Sequence, residues 1–285
     1  MASSIFNKTG PNGEEMAFVD HLEALRWHIV RSLIAILFFA ILIFIKIDWV
    51  FDRVISGPLQ NDFVSYIAFC DLSHWLNLGN ALCMPPMHIK MQTTEFSSQF
   101  MSSITIAFVG GFIAAFPYVF WELWRFIKPA LTPGEIKSTR GSIFFVSLFF
   151  FSGAAFGYFL LGPFTFNFLS NYTIGTSQLL ETKPTLNDYL ENLVNIIIGC
   201  GLSFELPVLS YVLTKIGLIT PDFLKTYRKY AIVIILVVAA VITPSPDWTS
   251  QMLVFIPLFL LYQFSIVVSK RAYKEMIKKD NEEWS

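Results

Sequence analysis

The chain has 285 residues, of which 54% are hydrophobic and only 14% are charged. A soluble domain carries about 25% charged residues, so this composition excludes an ordinary water-soluble protein, and the apolar content also excludes a disordered chain. The formal net charge of −1 supplies no overall field for a polyanion, which argues against nucleic acid as a partner. Three Cys in the whole chain are too few for a disulfide scaffold.

The apolar residues are concentrated in segments long enough to cross a bilayer, which takes roughly 20 residues of helix. Four segments have that length: 29–47, 104–123, 143–161 and 193–213. Two shorter segments, 231–242 and 252–268, follow one another across a polar turn. We therefore predict an all-α membrane protein with six transmembrane helices, of which the fifth and sixth form a short hairpin.

The short hairpin is unusual in its length. As a helix, segment 231–242 would reach about 18 Å, whereas the hydrocarbon core of a bilayer is about 30 Å thick. Either the bilayer thins around the hairpin or the helices do not fully span it; the alternative is that flanking polar residues such as Tyr230 and Thr243 extend the helix.

The distribution of Lys and Arg predicts the orientation of the helices. Sixteen of the 20 basic residues lie in the N-terminal segment or in segments 125–140, 215–230 and 269–285. The positive-inside rule then places both termini in the cytoplasm. We accordingly expect a mobile cytoplasmic leader, a six-helix transmembrane domain and a cytoplasmic tail, at residues 1–17, 18–268 and 269–285.

The first outer loop, 46–99, is too long to be structureless in most proteins. Its apolar pieces, 63–69 and 75–82, are expected to form short helices that cap the outer face. Cys70 and Cys83 lie in this loop, in a compartment that permits disulfides. A disulfide and a pair of free thiols are equally compatible with the sequence.

One acidic residue, Glu205, interrupts an apolar segment near its middle. A carboxylate at that depth costs about 2.5–3.5 kcal/mol on insertion scales. Pro207 follows closely and interrupts the hydrogen bonds of a helix. Glu205 has two interpretations: a structural hydrogen bond to a neighbouring helix, or a functional contact with a partner helix or a proton.

Three further carboxylates, Glu23, Glu122 and Glu135, lie at or near the predicted inner ends of helices. One interpretation is local pairing with a nearby cation, although such surface pairs contribute only about 0–1 kcal/mol. The candidate cations are Arg26, Arg125, Lys128 and Lys137. The other interpretation is a receptor for cationic cargo on the inner face.

The sequence lacks the motifs that mark several classes of enzyme. The sequence contains no GxxxxGK nucleotide-binding loop, no HExxH zinc motif and no GxSxG nucleophile turn. Its four His residues form no ligand pattern, so we predict no metal site, no cofactor and no enzyme activity. The absence of an internal repeat disfavours a transporter of the inverted-repeat type. A proton- or ion-coupled solute carrier, with Glu205 as its ion site, is the alternative function.

Four blocks of sequence, taken together and in this order, resemble the TatC family. They are 18–26 (FVDHLEALR), 117–135 (PYVFWELWRFIKPALTPGE), 204–207 (FELP) and 243–262, which contains Thr243-Pro244, Asp247, Gln251, Pro257 and Tyr262. Each block is weak alone, but four in order with six predicted helices are specific. The short final hairpin is also a feature of this family.

The resemblance implies the core receptor subunit of the twin-arginine protein translocase, in the bacterial cytoplasmic (inner) membrane. Such a subunit binds signal peptides that carry two consecutive arginines and assembles with TatA- and TatB-type single-span proteins. Self-association is also expected. The machine exports folded proteins and is driven by the proton-motive force.

The resemblance also implies roles for individual residues. It assigns signal-peptide binding to Glu23, Arg26, Phe126, Pro129 and Glu135. It assigns partner-helix contact and transport to Glu205, Asp247 and Gln251. We also expect structural roles for Pro58, Pro117 and Pro207.

The first block departs from the family motif, which usually reads His-Leu-x-Glu-Leu-Arg-x-Arg. Ala24 stands where that Glu belongs, and His28 stands where the second Arg belongs. Glu23 is one position early, which on a helix turns its side chain by about 100°. We therefore expect Glu135 to carry more of the arginine recognition.

Overall fold

The computed structural model describes residues 18–77, 79, 80, 83, 85, 91–130, 141–172, 183–243 and 248–283. Within these residues the protein is helical, and one isolated β-bridge joins Gln92 to Thr185. The helices are α1 Phe18–Ile45, α2 Ile47–Val50, α3 Val64–Trp75, α4 Ser98–Ile127, α5 Ser142–Phe156, α6 Gly162–Asn171, α7 Leu186–Ser203, α8 Leu206–Lys215, α9 Pro221–Thr226, α10 Arg228–Ile242 and α11 Trp248–Glu283.

Five stretches of the described residues are long and apolar enough to cross a membrane: Glu23–Ile45, Ser98–Ile127, Ile143–Asn171, Leu186–Lys215 and Gln251–Ile277. The third joins α5 to α6 through a π-helical turn, and the fourth joins α7 to α8. The prediction of an all-helical membrane protein is therefore confirmed.

The two helices of the predicted hairpin differ in length. Helix α10 has 15 residues, or about 22 Å, which is short of the hydrocarbon thickness. Helix α11 has 36 residues and continues without interruption through the region expected to be a separate tail. Lys, Glu and Met are good helix formers, which accounts for this extension. The count of six spans, the hairpin and the cytoplasmic termini stay predictions.

The fourth span is broken where the sequence contains its buried acid. Helix α7 ends at Ser203 and α8 begins at Leu206, with Pro207 in its first turn. The backbone N–H of Glu205 donates to Leu202 O at 3.1 Å. This bond spans three residues, as in a 3-10 turn, and not the four of an α-helix. Since proline has no N–H, the chain tightens and restarts here. We call residues 204–205 the α7/α8 break.

Glycines allow the spans to pack closely. A Cβ at Gly153 would lie 2.6 Å from the carbonyl oxygen of Cys200, and one at Gly157 would lie 2.9 Å from that of Ile196. Gly111 similarly faces the backbone of α1, where a Cβ would lie 2.8 Å from a nitrogen. Such small-residue contacts let helix backbones approach in membrane proteins.

A segment that we call the cap, residues 47–75, comprises α2, α3 and the turns between them. It follows the end of α1 and packs against the spanning helices there. Tyrosine hydroxyls hold it: Tyr158 donates to Val54 O at 2.7 Å, and Tyr189 donates to Ile55 O at 2.6 Å. Within the cap, Tyr66 donates to Pro58 O at 2.7 Å. Burial raises the pKa of Tyr66 well above its usual value, so the hydroxyl stays a donor.

The cap agrees only in part with expectation. The apolar piece at 63–69 forms the first half of α3, but the described residues of 76–80 form turns. Asn77 and Gly79 have φ of 55° and 60°, a left-handed conformation that ends a helix. Cys70 and Cys83 form a disulfide, which settles the alternative that the sequence left open.

Candidate functional site

The start of α1 lies beside the end of α4, because the two helices pack antiparallel along most of their length. We call this region the α1/α4 junction, residues 23–31 and 118–129. Its centre is Glu122, whose exposed fraction is only 1%. His28 Nδ1 donates to Glu122 Oε2, and Tyr118 Oη donates to Glu122 Oε1 at 3.1 Å. Arg125 Nη1 lies 3.6 Å from the same Oε1.

These contacts compensate a buried carboxylate from three directions. An uncompensated buried charge costs several kcal/mol, whereas a hydrogen-bonded and paired one is tolerated. Position 28 departs from the family motif, and the structure gives it a partner in Glu122. The ring of His28 also contacts Phe126 edge-on, with centroids 6.1 Å apart.

The pairing of His28 with Glu122 is what sequence reasoning missed. The pattern indicated local partners for Glu122, and Arg125 is indeed one of them. His28, however, is 94 residues away along the chain. Only the antiparallel register of α1 and α4 brings the two side chains together, and the sequence carries no direct signal of that register.

The predicted signal-peptide residues are only partly described. Glu23 and Arg26 are exposed on the first turns of α1. Phe126 is half-buried at the end of α4, and Pro129 is half-buried in the 3-10 turn, 128–130, that follows it. The structure thus brings Arg26, Phe126 and Pro129 to one end of the α1/α4 pair. Glu135, the predicted principal acceptor of arginine, lies outside the described residues.

The second candidate position is Glu205 at the α7/α8 break. Its exposed fraction is 6%, and neither carboxylate oxygen makes a hydrogen bond of normal geometry to a described residue. The backbone of Phe150 in α5 faces it. The structural interpretation, a hydrogen bond to a neighbouring helix, therefore has only the backbone of Phe150 as a candidate partner among the described residues, and no side chain.

The remaining predicted residues have mainly packing contacts. Gln251 Nε2 donates to Leu236 O at 3.1 Å, which ties the start of α11 to α10. Pro58 is buried in the cap, Pro117 lies half-buried within α4, and Pro207 is buried at the start of α8. Asp247 lies outside the described residues.

Comparisons with known proteins agree with this architecture. A family model for the Sec-independent protein translocase protein (TatC) matches residues 20–257. The chain is 39% identical over 256 residues to the Sec-independent protein translocase protein TatC of Blattabacterium sp. subsp. Periplaneta americana (strain BPLAN), covering 90% of this chain and 95% of that protein. It is 32% identical over 269 residues to TatC of Halalkalibacterium halodurans, covering 94% of each.

Solved structures give the same result. A crystal structure of the twin-arginine translocase receptor TatC superimposes with a TM-score of 0.68 at 32% identity, over 88% of this chain and 99% of that chain. A second crystal structure of the same receptor, in the detergent DDM, gives 0.70 at 31% identity over the same shares. The chain therefore belongs to the TatC family, multi-pass membrane proteins that serve as receptor components of a translocase and are not enzymes.

Proposed function

We propose that this protein is the core receptor subunit of a twin-arginine translocase in the bacterial cytoplasmic membrane, with both termini in the cytoplasm. It binds twin-arginine signal peptides at the α1/α4 junction, assembles with TatA- and TatB-type single-span proteins, and exports folded proteins with the proton-motive force. The observation that supports the proposal is the contact of His28 with Glu122 and with Phe126, which places the start of α1 beside the end of α4. Family membership sets aside the solute carrier.

Recognition of two arginines requires carboxylates held in a defined geometry. A guanidinium group offers a planar fork of donors that one carboxylate accepts two at a time, which lysine does not match. Glu135 and the exposed Glu23 are the proposed acceptors. Glu122 is too deeply buried to serve as an open acceptor, and we assign it the positioning of α1 against the end of α4.

Positioning by Glu122 has a direct consequence for the site. The carboxylate of Glu122, on α4, accepts a hydrogen bond from His28 on α1. Phe126 lies one turn after Glu122 on α4 and contacts the same His28 ring. Glu23 lies just over one turn before His28, so fixing His28 fixes the direction in which Glu23 projects. Although Ala24 and His28 replace the usual family residues, the proposed site keeps two carboxylate acceptors. They are Glu23 on α1 and Glu135 in the segment after α4.

A second contact is proposed for partner helices. Glu205 is buried without a side-chain partner in the described residues, and an unpaired buried polar group is costly. A polar side chain on a single-span partner would supply the missing hydrogen bond. Gln251 and Asp247 are proposed to contribute at the turn between α10 and α11.

Photo-crosslinking tests the receptor role. A photoreactive residue replaces Phe126 in the full chain, and radiolabelled signal peptides with Arg-Arg or Lys-Lys are added to membranes. We expect a crosslink with Arg-Arg that falls at least tenfold with Lys-Lys and also with the combined Glu23→Ala and Glu135→Ala variant. The matched control places the photoreactive residue at Phe100, exposed at the opposite end of α4, where no crosslink is expected. Equal crosslinking of both peptides at Phe126 would overturn the proposal.

A further inference from the structure

The cap contains a cluster of three potential metal ligands that no motif in the sequence announces. Cys70 and His74 lie four residues apart on α3, so their side chains project from the same face on successive turns. The left-handed residues Asn77 and Gly79 turn the chain back after α3. This turn brings Cys83 to the same face, where it meets Cys70.

The ligand atoms of the cluster are close enough to share one ion. The two sulfur atoms and a ring nitrogen of His74 all lie within 4.8 Å of one another. The imidazole is also oriented, since His74 Nε2 is 3.1 Å from Asn80 Oδ1. A carbonyl oxygen only accepts, so Nε2 is the donor and Nδ1 keeps its lone pair for a ligand. Ser73 Oγ donates to Gly79 O at 2.7 Å and holds the turn.

We propose that Cys70, His74 and Cys83 bind one Cu(I) ion when the disulfide between the two cysteines is reduced. Thiolates are soft ligands that favour Cu(I), and the imidazole nitrogen completes a three-ligand set. Structural zinc sites almost always take four protein ligands, so the same cluster suits zinc less well. The disulfide and the metal-bound state exclude each other, because both use the same sulfur atoms.

Conversion of the disulfide-bonded cap to the Cu(I)-bound form requires a two-electron reductant, and a dithiol supplies it. The dithiol gives two electrons and two protons to the Cys70–Cys83 bond, which becomes two thiols while the reductant closes to a disulfide. Cu(I) then binds the two thiolates and His74, and the two thiol protons leave to solvent. In both states residue 83 stays fixed to α3, so the cap keeps its shape while its redox and metal state change.

Anaerobic titration with Cu(I) against bicinchoninate tests the proposal on the full chain in detergent. After treatment with dithiothreitol and its removal, we expect one tightly bound Cu(I) per chain, and none on the unreduced protein. Replacing both cysteines, Cys70→Ser with Cys83→Ser, abolishes the site. His74→Asn lowers the affinity at least about tenfold, since loss of even an outer partner of a metal ligand costs 10–100-fold.

Cys200→Ser provides the matched control, because Cys200 is a free cysteine buried in α7, away from the cap. It should bind Cu(I) as the unchanged chain does. Circular dichroism confirms that each variant stays helical, and a thiol count in denaturant confirms reduction. A reduced chain that binds no more Cu(I) than the double Ser variant overturns the proposal. Equal affinity in His74→Asn, or a disulfide that the dithiol leaves intact, also overturns it.

Discussion

Glu122 and Glu205 are both buried acids within membrane-spanning helices, yet their surroundings differ. Glu122 has His28, Tyr118 and Arg125 around its carboxylate. Glu205 has no hydrogen bond of normal geometry to a described residue. A satisfied buried acid rigidifies the contact between two helices, whereas an unsatisfied one is held by the fold at a cost and is available to a partner. The comparison therefore assigns a positioning role to Glu122 and a binding role to Glu205.

The largest expected effect follows removal of the satisfied acid. Glu122→Ala leaves His28 and Tyr118 without their acceptor, and breaking a buried pair costs about 3–5 kcal/mol. We expect thermal unfolding in detergent, followed by circular dichroism, at a clearly lower temperature. Glu191→Ala is the control, since Glu191 is an exposed acid on α7 and its loss should change stability by less than about 0.5 kcal/mol. Equal melting temperatures for Glu122→Ala and Glu191→Ala would contradict the positioning role assigned to Glu122.

A smaller loss is expected when only one hydrogen bond is removed. Tyr118→Phe deletes the hydroxyl that donates to Glu122 Oε1 and keeps the ring. Hydrogen bonds to charged groups contribute about 1.5–3 kcal/mol, so the variant should melt between the unchanged chain and Glu122→Ala. Tyr172→Phe is the control, because Tyr172 is exposed at the end of α6. A Tyr118→Phe variant as stable as its control would show that this bond contributes nothing.

Restoring the family residue at position 28 tests the departure itself. Arginine keeps a donor for Glu122, so His28→Arg should retain stability within about 1 kcal/mol, whereas His28→Ala leaves Glu122 without that donor. The measurement is the melting temperature of the two variants side by side. If His28→Arg were as destabilised as His28→Ala, the contact at position 28 would depend on the imidazole shape and not on donation to Glu122.

The smallest effect on stability is expected at the unsatisfied acid. Glu205→Leu removes a buried group that makes no hydrogen bond of normal geometry to a described residue, so the chain should be equally or slightly more stable. Co-purification with single-span partners, and export of a folded cargo, should nevertheless be lost. Glu205→Gln is the control that keeps a polar group, and it should retain part of the partner binding. Full export by Glu205→Leu would contradict the binding role.

Much of the fold follows from local patterns in the sequence. Apolar segments predict the long spans because a bilayer demands length and hydrophobicity, and Pro207 marks the break in the fourth span. The mixture of Lys and Glu in 269–285 predicts a solvated helical tail, but hydropathy marks only the membrane segment, so the sequence does not show that this tail and the last span form one uninterrupted helix.

The sites are less accessible to such reasoning. Glu205 was recognised because an acid in an apolar segment is anomalous by itself. The contact between His28 and Glu122 depends on the register of two distant helices, and the meeting of Cys70, His74 and Cys83 depends on a turn with left-handed residues. Spacing alone places Cys70 and His74 on one face of α3, but no spacing rule adds Cys83 to them or joins His28 to Glu122.

The most direct test combines both acids in one measurement. The Arg-Arg signal peptide is crosslinked from position 126 in chains that carry Glu122→Gln or Glu205→Leu. We expect the crosslink to persist in Glu205→Leu and to fall several-fold in Glu122→Gln, which weakens the pairing that positions α1. Loss of the crosslink in Glu205→Leu with full retention in Glu122→Gln would contradict the division of roles between the α1/α4 junction and the α7/α8 break.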